Sequence, residues 1–185
     1  PPDGSEPGYV YDGRMRDGIA RGLRGSISDW SQSPSHAIQY VTCHDNLALW
    51  DKFLASVPNA TDLEMTRMNQ LSLGILAVSQ GVMFLHAGSE FGYEKDGEHN
   101  SYNKPDSINS IKWELREKNA EIEQFVREMI ALRRNHPIFR LPSKEEVEER
   151  AFILPQDRDH PHVIKHFLSG KDLEGEDWNN ALVVI

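Results

Sequence analysis

The chain is poor in cysteine, in positive charge and in long apolar runs, and each shortage removes a class of protein. One cysteine, Cys43, among 185 residues can close no internal disulfide and build no cysteine-based zinc site. At the end of an apolar run it reads as a small buried hydrophobe. Lys and Arg number 20 against 29 Asp and Glu, leaving a formal charge of -9. Such a surface repels a phosphate backbone, and no Lys/Arg stripe offsets it, so no nucleic acid partner is expected. No apolar run approaches the roughly 20 residues that span a bilayer, so no membrane association is expected either. There is no Gly-rich loop opening a helix after a strand, which removes dinucleotide and P-loop sites. Initiator Met and leader are also missing, and Pro1-Pro2-Asp3-Gly4-Ser5-Glu6-Pro7-Gly8 reads as a loop. Localisation, cytoplasmic or secreted, stays open, since these residues read as the interior of a longer chain.

What is present centres on Tyr40-Val41-Thr42-Cys43-His44-Asp45-Asn46, followed by Leu47-Ala48-Leu49-Trp50-Asp51. A His-Asp pair stands just beyond an apolar, β-branched run. In an α/β barrel the C-terminal strand ends carry the chemistry, which makes the pair a site candidate. The plainer alternative is a loop Asp capping a helix beside a surface His.

Periodicity supplies the frame. Tyr9-Val10-Tyr11 reads as a short strand leading into a loop and helical turn over Asp12 to Arg24. Ile38 to Cys43 reads as a strand whose near-continuous apolar character predicts burial on both faces. Thr61 and Glu64 have capping-box spacing, and apolar positions at Met65, Met68, Leu71, Leu73, Ile75, Leu76 and Val78 predict a helix of some four turns. Gly81 follows as its C-cap, and Val82 to His86 as a second buried strand, completing a βαβ unit with a right-handed crossover. Glu90 to Lys118 is polar, spotted with aromatics and too long for an idle connection. A helix with Asn119 as cap is expected from about Ala120 to Arg134, stopped by His136-Pro137. Beyond Leu141-Pro142-Ser143 and a charged stretch from Glu145 to Arg150, strands are expected at Ala151 to Leu154, Val163 to Leu168 and Ala181 to Ile185.

Three strings carry a resemblance: YVTCHDNLALWDKF (40–53), QGVMFLHAGSEFG (80–92) and HNSYNKPDSIN (99–109). In this order they resemble the type I pullulanases, the α-1,6-debranching members of the α-amylase superfamily, glycoside hydrolase family 13. The likeness runs nearly end to end, from YVYDGRMRDGIARGLRGS through IALRRNHPIFRL to the closing WNNALVVI. It implies an α/β fold class: a partial (β/α)8 TIM barrel, about strands 6 to 8, followed by part of an all-β sandwich domain. A whole barrel needs ~250 residues and does not fit. The implied domains are 1-142, the C-terminal portion of the catalytic barrel, and 143-185, the start of the β-sandwich.

Retaining glycosidases use one carboxylate as nucleophile and one carboxylic acid as proton donor. By resemblance the superfamily adds a third carboxylate on its seventh strand, gripping sugar hydroxyls, and that role falls to Asp45. His44 donates to the same sugar and Asn46 continues the lining. Asn100 and Tyr102 occupy positions that line the pullulanase site; a loop whose Asn and Asp residues only make turns is the alternative for Asn103 and Asp106. The motifs holding the family's nucleophile and acid are absent. Glu90, beyond the second strand, invites pairing with Asp45 as an acid and nucleophile, but the resemblance makes it a support of the site floor.

The implied parent is an enzyme, a pullulanase acting on pullulan, amylopectin or limit dextrins, with the isolated chain inactive. Another α-amylase superfamily hydrolase or glucanotransferase, and a non-catalytic structural or sugar-binding fragment, are the alternatives. The remainder of the parent barrel is the expected protein partner. No cofactor and no metal are expected, although Ca²⁺ occurs in some relatives and Asp96, Glu98 and Asp106 lack the full ligand spacing for it. His160, His162 and His166 near Asp157 and Asp159 suggest a metal site, with strand alternation putting His162 and His166 on one face. The run Asp157-Arg158-Asp159-His160-Pro161 nevertheless reads as a turn with exposed histidines, and that plainer reading is preferred. Trp50 and Trp113 read as packing aromatics and Trp178 as a β-domain core residue.

Overall fold

A computed structural model of the chain describes residues 6–185. The first five positions of the expected N-terminal loop lie outside the described residues. Helix α1 (Tyr9–Asp12) and helix α2 (Arg16–Leu23) open the chain, ahead of a short strand β1 (Ile38–Gln39). Helices α3 (Leu49–Ser56) and α4 (Asp62–Val78) follow, leading to strand β2 (Val82–Met83), which pairs parallel with β1.

Helix α4 starts where the sequence predicts. Thr61 Oγ1 accepts the Glu64 N–H at 3.3 Å, and Glu64 Oε2 accepts the Thr61 N–H at 2.7 Å, so two donors that a helix start leaves unpaired are satisfied reciprocally. After β2 come two single-turn helices, α5 (Asp106–Asn109) and α6 (Leu115–Lys118), then the long α7 (Ala120–Asn135). The buried positions Met65, Met68, Leu73 and Leu76 of α4 meet Ile122 and Val126 of α7, with Leu49 and Phe53 of α3 in the same cluster. At Gly74 an added Cβ would stand 3.2 Å from the Phe125 ring. The missing side chain is what lets α4 and α7 approach.

Helix α8 (Lys144–Arg150) precedes an antiparallel sheet of β3 (Ala151–Ile153), β4 (Lys165–Ser169) and β5 (Asn180–Val184), in that order. Ala151 pairs with Leu168, and Lys165 with Val184. A second core joins Leu23, Ile27, Val78 and Ile138 to Val147, Ala151, Ile164 and Leu168. The sheet is thus packed on the helical part and shares one apolar core with it.

Several local expectations are corrected. Tyr9-Val10-Tyr11 is helical, not a strand: Tyr9 is buried and Tyr11 is 55% exposed, whereas a strand would turn both to one face. The charged 144–150 stretch is a helix, because Ser143 Oγ accepts the Glu146 N–H and Glu145 and Glu146 sit at the positive end of the dipole. Its lone buried residue, Val147, leaves no period to read. Both parallel strands are two residues long, and they are not buried on both faces. Ile38 is 61% and Val82 48% exposed, because among the described residues each strand has a single neighbour. The C-cap of α4 is Ser79; Gly81, at φ 110°, instead makes the bend into β2. Asn119 does border α7, but its side chain donates to Phe91 O at 2.9 Å and not to the helix. Trp178 is part-exposed and stacks on the His136 ring, with centroids 3.6 Å apart, and Cys43 is only half-buried.

Candidate functional site

Where β1 and β2 end, the chain leaves the sheet through two loops that meet. The first is the turn from Thr42 to Leu47. Thr42 Oγ1 donates to Leu47 O at 3.2 Å, closing the turn, and Asn46 takes the left-handed conformation at φ 61°. Asn is among the few side-chain-bearing residues that adopt it readily. The turn lifts His44 and Asp45 outward: their side chains are 82% and 74% exposed, with His44 Nδ1 3.4 Å from Asp45 Oδ1. Asp45 and Asn46 border a cleft of about 590 Å³ whose walls include Tyr40, Thr42, Leu49 and Lys52.

The second loop follows β2. Gly88, at φ 94°, begins a tight turn in which Glu90 Oε2 accepts the Gly88 N–H at 2.8 Å. Glu90 therefore braces its own turn. Further on, Asn109 Nδ2 donates to Ser101 O at 2.7 Å and Lys104 O at 2.9 Å, folding the HNSYNKPDSIN segment back on itself. Tyr93 OH donates to the carbonyls of Ile108 and Asn109. Tyr102 projects from this loop 84% exposed, and Asn100, also exposed, donates its N–H to Glu98 Oε1. Tyr102 thus presents an aromatic face to solvent, and the Asn100 side-chain amide can both donate and accept.

Lys95 joins the loops. It is 2% exposed, and its Nζ donates to Asn46 O at 2.5 Å, His44 O at 3.2 Å and Ser101 Oγ at 3.3 Å. Asp51 of α3 holds the backbone around it: Oδ2 accepts the Lys95 N–H at 2.7 Å and Oδ1 the Gly97 N–H at 2.8 Å. Asp51 also borders a second cleft of about 650 Å³ that shares Leu47 and includes Glu94, Asp96 and His99. Here the acids are matched by lysines, with Lys112 Nζ 2.6 Å from Asp96 and 3.6 Å from Glu94. Lys104 likewise lies 3.0 Å from Glu98, so two of the three carboxylates considered for Ca²⁺, Asp96 and Glu98, are engaged by ammonium groups.

His86 is half-buried beside this network, edge-on to Tyr93 with centroids 5.9 Å apart. Burial pushes its pKa down, the Lys95 and His44 charges add to that, and Glu90 opposes it. A neutral imidazole results at pH 7. Lys95, Asp51 and His86 all escape sequence reading, because a lone Lys, a helix Asp and a strand-end His match no spacing rule. Among the described residues one group could gather a cation, His136 with Glu176 and Asp177. Glu176, however, already accepts His136 Nδ1 at 2.9 Å and the N–H groups of Ile138, Asp177 and Trp178. It is a tether between the sheet and the end of α7.

Comparison with known proteins decides the family. Pullulanase of Bacillus subtilis (strain 168) is 34% identical over a 179-residue alignment that covers 94% of this chain. The chain belongs to the pullulanase family. No protein-family model matches it. Among solved pullulanases, that from Bacillus acidopullulyticus superposes with a TM-score of 0.92 at 33% identity, covering 98% of this chain and 22% of that one. A pullulanase from Anoxybacillus sp. LM18-11, complexed with maltotriose, gives 0.90 at 31%, covering 98% and 26%. The chain spans about a quarter of the length of the pullulanases it matches, 24% of the Bacillus subtilis protein. Its fold is accordingly an α/β portion of a larger pullulanase domain.

Proposed function

We propose that this chain is the part of a debranching glycoside hydrolase that carries the transition-state aspartate, Asp45, of a site cleaving α-1,6-glucosidic bonds with retention. The observation that carries the reading is the exposed His44-Asp45 turn at the end of a parallel strand, in a chain aligned with pullulanases over nearly its whole length. Asp45 grips sugar hydroxyls in the distorted, cation-like transition state, and His44 donates to the same sugar. Asn46, Asn100 and Tyr102 line the substrate path. The maltotriose complex of the Anoxybacillus pullulanase supports an α-glucan such as pullulan, amylopectin or a limit dextrin as the ligand. The reaction needs two further carboxyl groups, nucleophile and acid, whose motifs this chain lacks, and no cofactor is assigned.

In this reading residues 1-142 form about strands 6 to 8 of a (β/α)8 barrel, and 143-185 begin a β-sandwich. The exposed Ile38, Tyr40, Val82 and Phe84 support it, since parallel sheets are normally covered on both faces. The rest of the barrel is the partner that would cover them. In the full-length protein containing this chain, Asp45→Asn is expected to lower kcat on pullulan by about 100-fold or more with the fold intact. Near-normal turnover would overturn the assignment. The isolated 185-residue chain is expected to release no maltotriose from pullulan.

A further inference from the structure

His44 and Asp45 have little side-chain packing to aim them, since both are mostly exposed. Their direction is set by the backbone of the turn, which Thr42 closes from within and which the buried Lys95 ties to the second loop. The Lys95 ammonium donates to the carbonyl oxygens of His44 and Asn46, the residues either side of Asp45, and to the Ser101 hydroxyl, between Asn100 and Tyr102. Asn46 is kept in a left-handed conformation that costs a side-chain-bearing residue some free energy. A charged donor 2.5 Å from its carbonyl opposes relaxation of that backbone. Asp51, equally buried, fixes the main chain at Lys95 and Gly97, so the lysine enters from a rigid base.

We infer that Lys95, seated by Asp51, is a positioning residue that locks the His44-Asp45-Asn46 turn and ties it to the Asn100–Tyr102 loop, presenting both to one substrate as a unit. The inference rests on the function proposed above. It makes the aspartate's aim depend on the lysine while the substrate never touches the lysine. Loss of the clamp should then reduce transition-state stabilisation more than ground-state binding.

The test uses the full-length protein containing this chain, with K95M, K95R and D45N assayed on pullulan and amide hydrogen exchange followed across residues 43–47. K95M is expected to lower kcat about tenfold or more while KM moves less than about threefold. Exchange in the turn should speed up about tenfold, with K95R intermediate in both readouts. If D45N is inactive while K95M keeps its kcat and turn protection, the inference falls and the proposed function stands. Should D45N remain active, the proposed function itself falls. If K95M does not fold, S101A cuts only the tie to the second loop and is expected to raise KM about threefold or more; unchanged kinetics in S101A would overturn that tie.

Discussion

Arg133 Nη2 lies 2.6 Å from the carbonyl oxygen of Gly81, the residue that bends the chain into β2. The other terminal nitrogen of the same guanidinium donates to Ala77 O, Ser79 O and Phe139 O at 2.7 to 3.0 Å. One side chain from the end of α7 thus satisfies the last carbonyls of α4 and sets where the second parallel strand begins. Burial, with Arg140 adding to it, lowers the Arg133 pKa to about 10. The group is still cationic at neutral pH.

Arg133→Met should therefore destabilise the protein by about 3 kcal/mol, because three buried carbonyls and the part-buried one of Gly81 lose this donor at once. Arg133→Lys should recover only part of this, since an ammonium cannot serve a planar fork of acceptors. The shift in urea midpoint for the two variants checks the claim. Equal stability of Met and wild type would mean that the carbonyls find other partners.

Gly81 is the receiving end of the same contact. At φ 110° its added Cβ would lie 2.6 Å from Ala37 O, the carbonyl that accepts the Val82 N–H in the first bond of the parallel pair. Gly81→Ala is expected to cost about 2 kcal/mol or more, through strain and loss of that bond. Faster hydrogen exchange at the Val82 amide would localise the damage.

His166 of β4 is fully buried, and neither ring nitrogen has a hydrogen-bond partner. Burial, and then the Arg24 charge, lowers its pKa from the ordinary 6.5 to about 4. Because the folded value lies below the unfolded one, the unfolded chain binds more protons between the two. Stability is complete above about pH 6.5 and falls as pH drops toward 4, by roughly 3 kcal/mol at most from this residue. His166→Phe should flatten that part of the profile and leave stability at pH 7 equal or higher, since no bond is lost. Thermal melts of both proteins from pH 4 to 7 measure it, and an unchanged slope would reject the assignment.

Much of the frame is legible locally. The capping box at Thr61 and Glu64, the 3.6-residue period of α4 and α7, and the β-branched runs of the final sheet depend on neighbours a few positions away. Such short-range rules survive in the fold. The errors arise where tertiary contact overrides them. Tyr9-Val10-Tyr11 has strand composition, yet it turns helical so that Tyr9 OH can reach His162 O at 2.8 Å, 153 residues away. Ile38 and Val82 look like core residues by composition. Their exposure follows from which strands lie beside them.

The candidate site divides in the same manner. By itself the sequence determined the chemistry available: His44, Asp45 and Asn46 contiguous beyond an apolar run, Asn100 and Tyr102 in a long polar loop, and the order of motifs that identifies the family. Contiguous residues share a turn in any fold, so their association needs no tertiary information. Only the tertiary structure decided how the two loops are joined and aimed. That depends on Lys95 reaching the carbonyls of His44 and Asn46 across about fifty residues of chain, and on Asp51 holding it there. Backbone carbonyls are present at every position, so nothing in the order of side chains marks which of them a buried ammonium will find.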